Sequence, residues 1–93
     1  MSDHTQLAGK VALVTGAGGA IGAATALPML ERGASVVAVD RAGTSLDGLE
    51  REAGAGASLH LVHADVTNEA AVSSYVAEAL KAFGRIDVFF NNA

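Results

Sequence analysis

Four closely spaced glycines are the residues of this chain best suited to bind a ligand. Gly16, Gly18, Gly19 and Gly22 follow an apolar run, Val11-Ala12-Leu13-Val14, and lead directly into a segment of helical period. A turn between a strand and a helix directs the first N–H groups of the helix toward any anion that binds there. A side chain at Gly16 or Gly22 would obstruct the tight turn or the close approach of the backbone to a ligand. The pattern therefore predicts a phosphate-binding turn.

An acidic residue follows this turn at the sequence separation that is typical of a nucleotide-binding site. Asp40 closes the second apolar run, 24 residues after Gly16. Such an acid can accept hydrogen bonds from both hydroxyls of an adenosine ribose, and its charge repels a 2′-phosphate. The alternative is an ordinary acid at the end of a strand. We favour the ribose role because the glycine turn lies upstream.

The elements that position these residues can be predicted from periodicity. Short β-branched runs alternate with longer segments of helical period, which indicates strand–helix–strand units rather than a sandwich or a helix bundle. The strands are nearly continuous in apolar residues, as is typical of a sheet covered on both faces. We predict strands over 10–15, 35–40, 58–63 and 86–90, and helices over 20–32, 45–53 and 69–83. In the last helix the apolar face is expected to comprise Val72, Val76, Leu80 and Phe83.

Composition and charge narrow the class of protein. With 51% hydrophobic residues, the 93-residue chain is expected to form a single small globular domain. Its net charge of -4 and the lack of a basic block argue against nucleic acid and anionic membranes as partners. The absence of cysteine excludes disulfides and thiolate chemistry. No apolar run approaches the ~18 residues of a membrane span, and the polar N-terminus lacks signal-peptide features, so a cytoplasmic location is expected.

The glycine spacing departs from the G-x-G-x-x-G pattern, because Ile21 stands where the third glycine would be. The run Thr15-Gly16-x-x-x-Ala20-Ile21-Gly22 instead resembles the T-G-x-x-x-G-[IL]-G turn of the short-chain dehydrogenase/reductase family. Three further matches follow in the order of that family, and they are Asp40, Asp65-Val66-Thr67, and Phe83-Gly84-x-x-Asp87 leading into Asn91-Asn92-Ala93.

The resemblance implies a Rossmann-type, doubly wound α/β fold with a parallel sheet. Residues 1–93 would form the N-terminal part of a single NAD(P)-binding domain, truncated after the fourth strand. The strand order would be 3-2-1-4 with right-handed crossovers. The first two of the three helices would lie on one face of the sheet and the third on the other.

The resemblance also implies a set of cofactor-binding residues. Those around the pyrophosphate would be Gly16 and Gly22, with the backbone of Gly18, Gly19, Ala20 and Ile21. Ala20 replaces the glycine that the family usually has at that position, which places one methyl group at the start of the helix while leaving the backbone donors available.

The remaining cofactor contacts implied by the resemblance concern the adenosine half. Asp40 would select NAD, whereas Arg41 can contact a 2′-phosphate or stack on adenine, so NAD is favoured and NADP stays open. Asp65 and the backbone of Val66 would flank the adenine. The ribose would be lined by Asn91, Asn92 and Ala93, which would also help to fix the central sheet.

Family members transfer a hydride between a nicotinamide cofactor and an alcohol or carbonyl substrate. They use a serine and a Tyr-x-x-x-Lys pair that the resemblance places beyond the asparagine motif. Tyr75 is followed four residues later by Ala79, and Lys81 is six residues away. We therefore expect an NAD(P)-dependent oxidoreductase as the parent protein, with a small alcohol or ketone as substrate and a homo-oligomeric state. The 93-residue chain itself would be catalytically incomplete.

An alternative function belongs to a different class, a non-catalytic nucleotide-binding or scaffold module. No metal site is expected, because His60 and His63 are three apart in a predicted strand and so face opposite sides. Asp87, beside an apolar strand, is expected to have a structural hydrogen-bonding role.

Overall fold

A computed structural model describes residues 7–41, 43, 45–54, 56–65 and 68–92. In this part of the chain strands and helices alternate as predicted, with bounds that differ from the predicted ones by two residues at most. The elements are β1 (Val11–Thr15), α1 (Ala20–Glu31), β2 (Ser35–Asp40), α2 (Asp47–Ala53), β3 (Leu59–His63), α3 (Glu69–Phe83) and β4 (Val88–Asn91).

The strands form one parallel sheet in the order β3-β2-β1-β4. This confirms the predicted doubly wound α/β architecture. The order reverses at β1, since β2 and β3 lie on one side of it and β4 lies on the other. In an open α/β sheet the crevice at the carboxyl ends of the strands beside such a reversal is the usual ligand site.

Two apolar layers cover the faces of the sheet. Ala12 and Val14 of β1 pack with α1 and α2 in one buried cluster, whereas Leu13 packs with α3 in the other. Successive residues of a strand point to opposite faces, so a nearly continuous apolar run fills both layers. The first two helices therefore share one face, and the third covers the other, as predicted.

The prediction for the face of α3 was wrong at one position. Leu80 is 46% exposed, and the most deeply buried residues of the helix are Tyr75 and Ala79, at 2% and 0%. The other predicted residues, Val72, Val76 and Phe83, are partly buried against the same core. The small side chain of Ala79 lets the helix backbone approach the sheet, a role that a search for large apolar residues overlooks.

Asp87 joins the amino ends of β1 and β4. Its Oδ2 accepts a hydrogen bond from Val11 N–H at 2.8 Å, and its own N–H donates to the Val11 carbonyl oxygen at 2.8 Å. Arg85 Nη2 donates to Oδ1 at 2.6 Å. The Arg85 hydrogen bond, and after it the Val11 N–H, lower the pKa of Asp87 from its ordinary value of 3.8. The predicted structural role of this acid is confirmed.

Among the described residues, no helix has the length and apolar character needed to cross a membrane.

Candidate functional site

The turn between β1 and α1 is built on two glycines that no other residue could replace without strain. Gly16 has a φ of +67°, and a Cβ there would lie 3.1 Å from the Asn92 carbonyl oxygen. A Cβ at Gly22 would collide with the Gly16 carbonyl oxygen and lie 2.6 Å from Ala17 Cα. By contrast, a Cβ at Gly19 would meet only the Gly16 carbonyl oxygen, at 3.5 Å. Tight folding of the turn therefore depends on Gly16 and Gly22.

The first turn of α1 has backbone donors that are not used inside the protein. The helix begins after Gly19, which makes no side-chain capping bond, and the first helical bond runs from Ala23 N–H to the Gly19 carbonyl oxygen at 3.0 Å. The N–H groups of Ala20, Ile21 and Gly22 thus have no partner within the described residues. No acidic residue lies in this turn to neutralise the positive end of the helix dipole. An anion can take up these donors.

Asp40 lies directly beside the turn, at the carboxyl end of β2. The residue is only 8% exposed, and both carboxylate oxygens accept backbone hydrogen bonds, Oδ2 from Gly18 N–H at 2.8 Å and Oδ1 from Arg41 N–H at 2.7 Å. Arg41 itself is exposed. The spacing in the sequence predicted that Asp40 would lie near the turn, but it gave no sign of the direct bond to Gly18.

The asparagines at the end of β4 complete the same edge of the sheet. Buried Thr15 donates from Oγ1 to Asn91 Oδ1 at 3.0 Å, and Oγ1 accepts from Asn92 N–H at 3.1 Å. Asn92 in turn lies against Gly16, as the space around that glycine shows. Thr15 therefore fixes the asparagine motif to the turn. Its position before Gly16 in the sequence does not by itself predict these contacts.

Of the other predicted site residues, Asp65 lies two positions beyond β3, where its carbonyl oxygen accepts from Asn68 N–H at 3.1 Å. Val66 and Ala93 lie outside the described residues. His60 belongs to a different region and faces Glu78, with His60 Nε2 3.9 Å from Glu78 Oε2. The described residues contain no group of three or more histidines and acids that could hold a metal ion.

Tyr75 is separate from the turn as well. Burial raises the pKa of its phenol, and its ring meets Phe89 edge to face with centroids 6.4 Å apart. This tyrosine packs α3 against β4. Nothing among its described contacts gives it a chemical role.

The edge of the sheet thus combines unused N–H donors, a carboxylate and two asparagines around the ends of β1, β2 and β4. Such a set can bind a phosphate group and sugar hydroxyls side by side. Comparison with protein families supports this interpretation, since a model described as short chain dehydrogenase matches residues 10–93. The chain belongs to the short chain dehydrogenase family.

Individual relatives agree with this assignment. Momilactone A synthase of Oryza sativa subsp. japonica is 45% identical over 92 residues, which are 99% of this chain and 33% of that protein. The crystal structure of an NAD+-bound xylitol dehydrogenase has a TM-score of 0.87 and 42% identity, covering 95% of this chain and 34% of that one. A 3-ketoacyl-(acyl-carrier-protein) reductase from Brucella melitensis, complexed with NADH, has a TM-score of 0.79 and 40% identity, covering 89% of this chain and 34% of that one.

This member of the short chain dehydrogenase family therefore spans about a third of the length of the relatives it matches.

Proposed function

We propose that this chain binds a nicotinamide dinucleotide for an oxidoreductase that interconverts an alcohol and a carbonyl compound. One observation carries the proposal, the row of unpartnered N–H groups at Ala20, Ile21 and Gly22 beside the Asp40 carboxylate. A dinucleotide has a pyrophosphate next to an adenosine ribose. The pyrophosphate can accept from the N–H groups, and the ribose hydroxyls can donate to the Asp40 carboxylate. Two structural relatives are described with NAD+ or NADH, which adds support.

The residues present fit such a cofactor. The pyrophosphate would lie against Gly16 and the N–H groups of Ala20, Ile21 and Gly22, where the absence of a Cβ at the two glycines lets the backbone approach. The adenosine ribose would lie at Asp40. The adenine would be flanked by Asp65 and the backbone of Val66, and the asparagine motif would line the ribose. When bound, the nicotinamide supplies or accepts the hydride.

We propose NAD rather than NADP as the preferred cofactor. The Asp40 carboxylate lies at the carboxyl end of β2 with little exposure, so a 2′-phosphate on the ribose would bring a second negative charge close to it. Exposed Arg41 opposes this effect, because its guanidinium can neutralise a phosphate. Asp40 is buried and hydrogen-bonded, whereas Arg41 is exposed, so Asp40 should have the larger effect on the choice of cofactor. NAD is therefore favoured.

The catalytic step would depend on residues outside these 93, since the sequence contains no Tyr-x-x-x-Lys pair. We accordingly propose that the isolated chain binds cofactor without turnover. For the longer enzyme we propose a small alcohol or ketone as substrate, a homo-oligomeric state and a cytoplasmic location.

Calorimetric titration of the 93-residue chain with NAD and NADP tests the binding proposal. We expect NAD to bind about tenfold or more tightly than NADP, equivalent to ~1.4 kcal/mol of discrimination. In Arg41→Ala the affinity for NADP should fall further while that for NAD stays within about twofold. Tighter binding of NADP than of NAD would contradict the cofactor preference, and no binding of either would contradict the function.

A spectrophotometric assay for NADH with a panel of alcohols tests the catalytic part. The purified chain should give no signal above a buffer control. Turnover by the chain alone would show that the missing pair is not required.

A further inference from the structure

The phosphate-binding turn and the acid at the end of β2 are joined more closely than the sequence pattern requires. Gly18 N–H donates to Asp40 Oδ2 at 2.8 Å, although the two residues are 22 positions apart. The preceding N–H, that of Ala17, donates to the Val39 carbonyl oxygen at 3.1 Å. Two successive donors of the turn are thus attached to the last two residues of β2.

The carboxylate that holds Gly18 is itself fixed. Asp40 is 8% exposed, and its second oxygen accepts from Arg41 N–H. It ends a strand that is paired on both sides, with β1 and with β3. A hydrogen bond to an ionised acceptor is roughly twice as strong as a neutral one. The Gly18–Asp40 bond is therefore a firmer restraint on the turn than the neutral bond from Gly19 N–H to the Gly16 carbonyl oxygen at 3.1 Å.

We propose that Asp40 is a positioning residue for the phosphate-binding turn, a role distinct from its contact with the ribose. By holding Gly18 N–H before any ligand arrives, Asp40 keeps the turn in the conformation that leaves the N–H groups of Ala20, Ile21 and Gly22 free. Phosphate binding and sugar recognition then depend on one carboxylate. The inference rests on the proposed function, because it assumes that the turn binds a phosphate group.

The charge of Asp40 and its positioning role affect anion binding in opposite directions. A carboxylate beside an anion site repels the anion, so removing the charge alone should strengthen anion binding. Loss of the restraint should weaken it, because a mobile turn must be ordered when the ligand binds. A probe that has phosphate groups but no ribose separates the positioning role from the ribose contact. Inorganic pyrophosphate is such a probe.

Pyrophosphate should be titrated into the 93-residue chain and three variants, with binding followed by calorimetry or amide chemical shifts. Asp40→Asn and Asp40→Ala lack the same charge, and only the asparagine can still accept from Gly18 N–H. We therefore expect Asp40→Ala to bind pyrophosphate about fivefold or more weakly than Asp40→Asn, as for one lost hydrogen bond. Glu52→Ala removes the same charge from an exposed site on α2 and should leave the affinity unchanged. Equal pyrophosphate affinities of Asp40→Ala and Asp40→Asn would overturn the proposal.

A second measurement needs no ligand, so its result does not depend on the proposed function. In labelled wild-type protein, a scalar coupling across the hydrogen bond should connect Gly18 nitrogen with the Asp40 carboxyl carbon. The Gly18 amide should exchange with solvent at least about tenfold faster in Asp40→Ala, while the amides of β1 keep their protection. Equal exchange of Gly18 in both proteins, or no coupling in the wild type, would refute the positioning role.

The two proposals can fail separately. If wild type binds neither NAD nor pyrophosphate while Gly18 remains protected through Asp40, the proposed function is contradicted and the restraint is supported. If NAD binds but the Gly18 amide exchanges equally fast in wild type and Asp40→Ala, the function is supported and the restraint is contradicted. Should Asp40→Ala fail to fold, Asp40→Asn and the coupling in the wild type still decide the question.

Discussion

At the scale of single residues, Gly22 is the position where the turn leaves no room for a side chain. It occupies the first turn of α1, and the atoms that a Cβ would meet there belong to the backbone of Gly16 and Ala17. Backbone atoms cannot rotate away as the end of a long side chain can. Relief would therefore require the helix to move away from the turn, which would displace the donors that face the proposed phosphate.

We predict that Gly22→Ala lowers the free energy of unfolding by about 2 kcal/mol, because overpacking exceeds the gain in helix propensity. NAD affinity should fall by about tenfold or more. Urea denaturation and calorimetric titration measure the two quantities. Gly19→Ala is the matched control, since its Cβ would make only an ordinary contact, and its stability should change by no more than about 0.5 kcal/mol. Equal effects of the two substitutions would refute the steric argument.

The residues of the site were predictable to different degrees. Glycine spacing pointed to Gly16 and Gly22 because a strand, a tight turn and a helix need small residues at those points. The bond between Gly18 and Asp40 could not be predicted, since it depends on the register of β1 against β2, in which Thr15 is opposite Val39. Register is a property of the folded sheet, and it cannot be predicted from the local sequence around Gly18 or Asp40.

At the scale of elements, α3 has the clearest start signal in the chain. Asn68 Oδ1 accepts from Ala70 N–H at 2.8 Å and from Ala71 N–H at 3.3 Å. The helix ends at Phe83 and is capped by Gly84, whose φ of +80° lies in the left-handed region. These two residues explain why the predicted bounds of α3 were correct at both ends. The predicted bounds of β4 were not, because Asp87 uses its side chain, in place of a backbone carbonyl, to accept from Val11 N–H.

We predict that Asn68→Ala destabilises the protein by about 1 kcal/mol, through the loss of this cap. Asn68→Asp should keep most of the stability, because a carboxylate accepts the same bonds and interacts favourably with the helix dipole. The midpoint of urea unfolding, at an unchanged slope, measures both effects. If the alanine and aspartate variants unfold at the same urea concentration, the cap does not stabilise α3.

At the scale of the whole molecule, stability depends on the link between β1 and its neighbour β4. Asp87 holds the start of β1 to β4, and its pKa is lowered in the folded protein, first by Arg85 and then by Val11 N–H. A carboxyl group whose pKa is lower in the folded state stabilises that state above its unfolded pKa. The contribution is lost as the pH falls below the ordinary value of 3.8 toward the lower folded pKa.

We predict that the urea midpoint of the wild type falls more steeply than that of Asp87→Asn as the pH is lowered below about 4.5. Above that pH the wild type should be the more stable, and at the acid end the two curves should converge. Asp47→Asn, which alters an exposed acid at the start of α2, should follow the wild-type curve. Parallel curves for wild type and Asp87→Asn across this range would rule out the linkage.

The overall topology was predictable, but for two separate reasons. Alternating periods in the sequence indicated strand–helix units, as the two apolar layers of the sheet confirm. The order of the strands came from the family resemblance, because periodicity alone does not say on which side of β1 the fourth strand lies. The exposure of Leu80 and the burial of Ala79 could not be predicted in this way, since they depend on how closely α3 approaches the sheet.

The pairing of β1 with β4 has a consequence for synthesis on the ribosome. β1 is made before the other strands described here, yet the side chain that accepts from its first N–H comes 76 residues later. Until Asp87 has left the exit tunnel, the apolar strand at the centre of the future sheet has one edge open to other nascent chains. β2 can pair with the other edge much earlier. We therefore expect the nascent chain to need a chaperone that covers the open edge of β1 until β4 emerges and pairs with it.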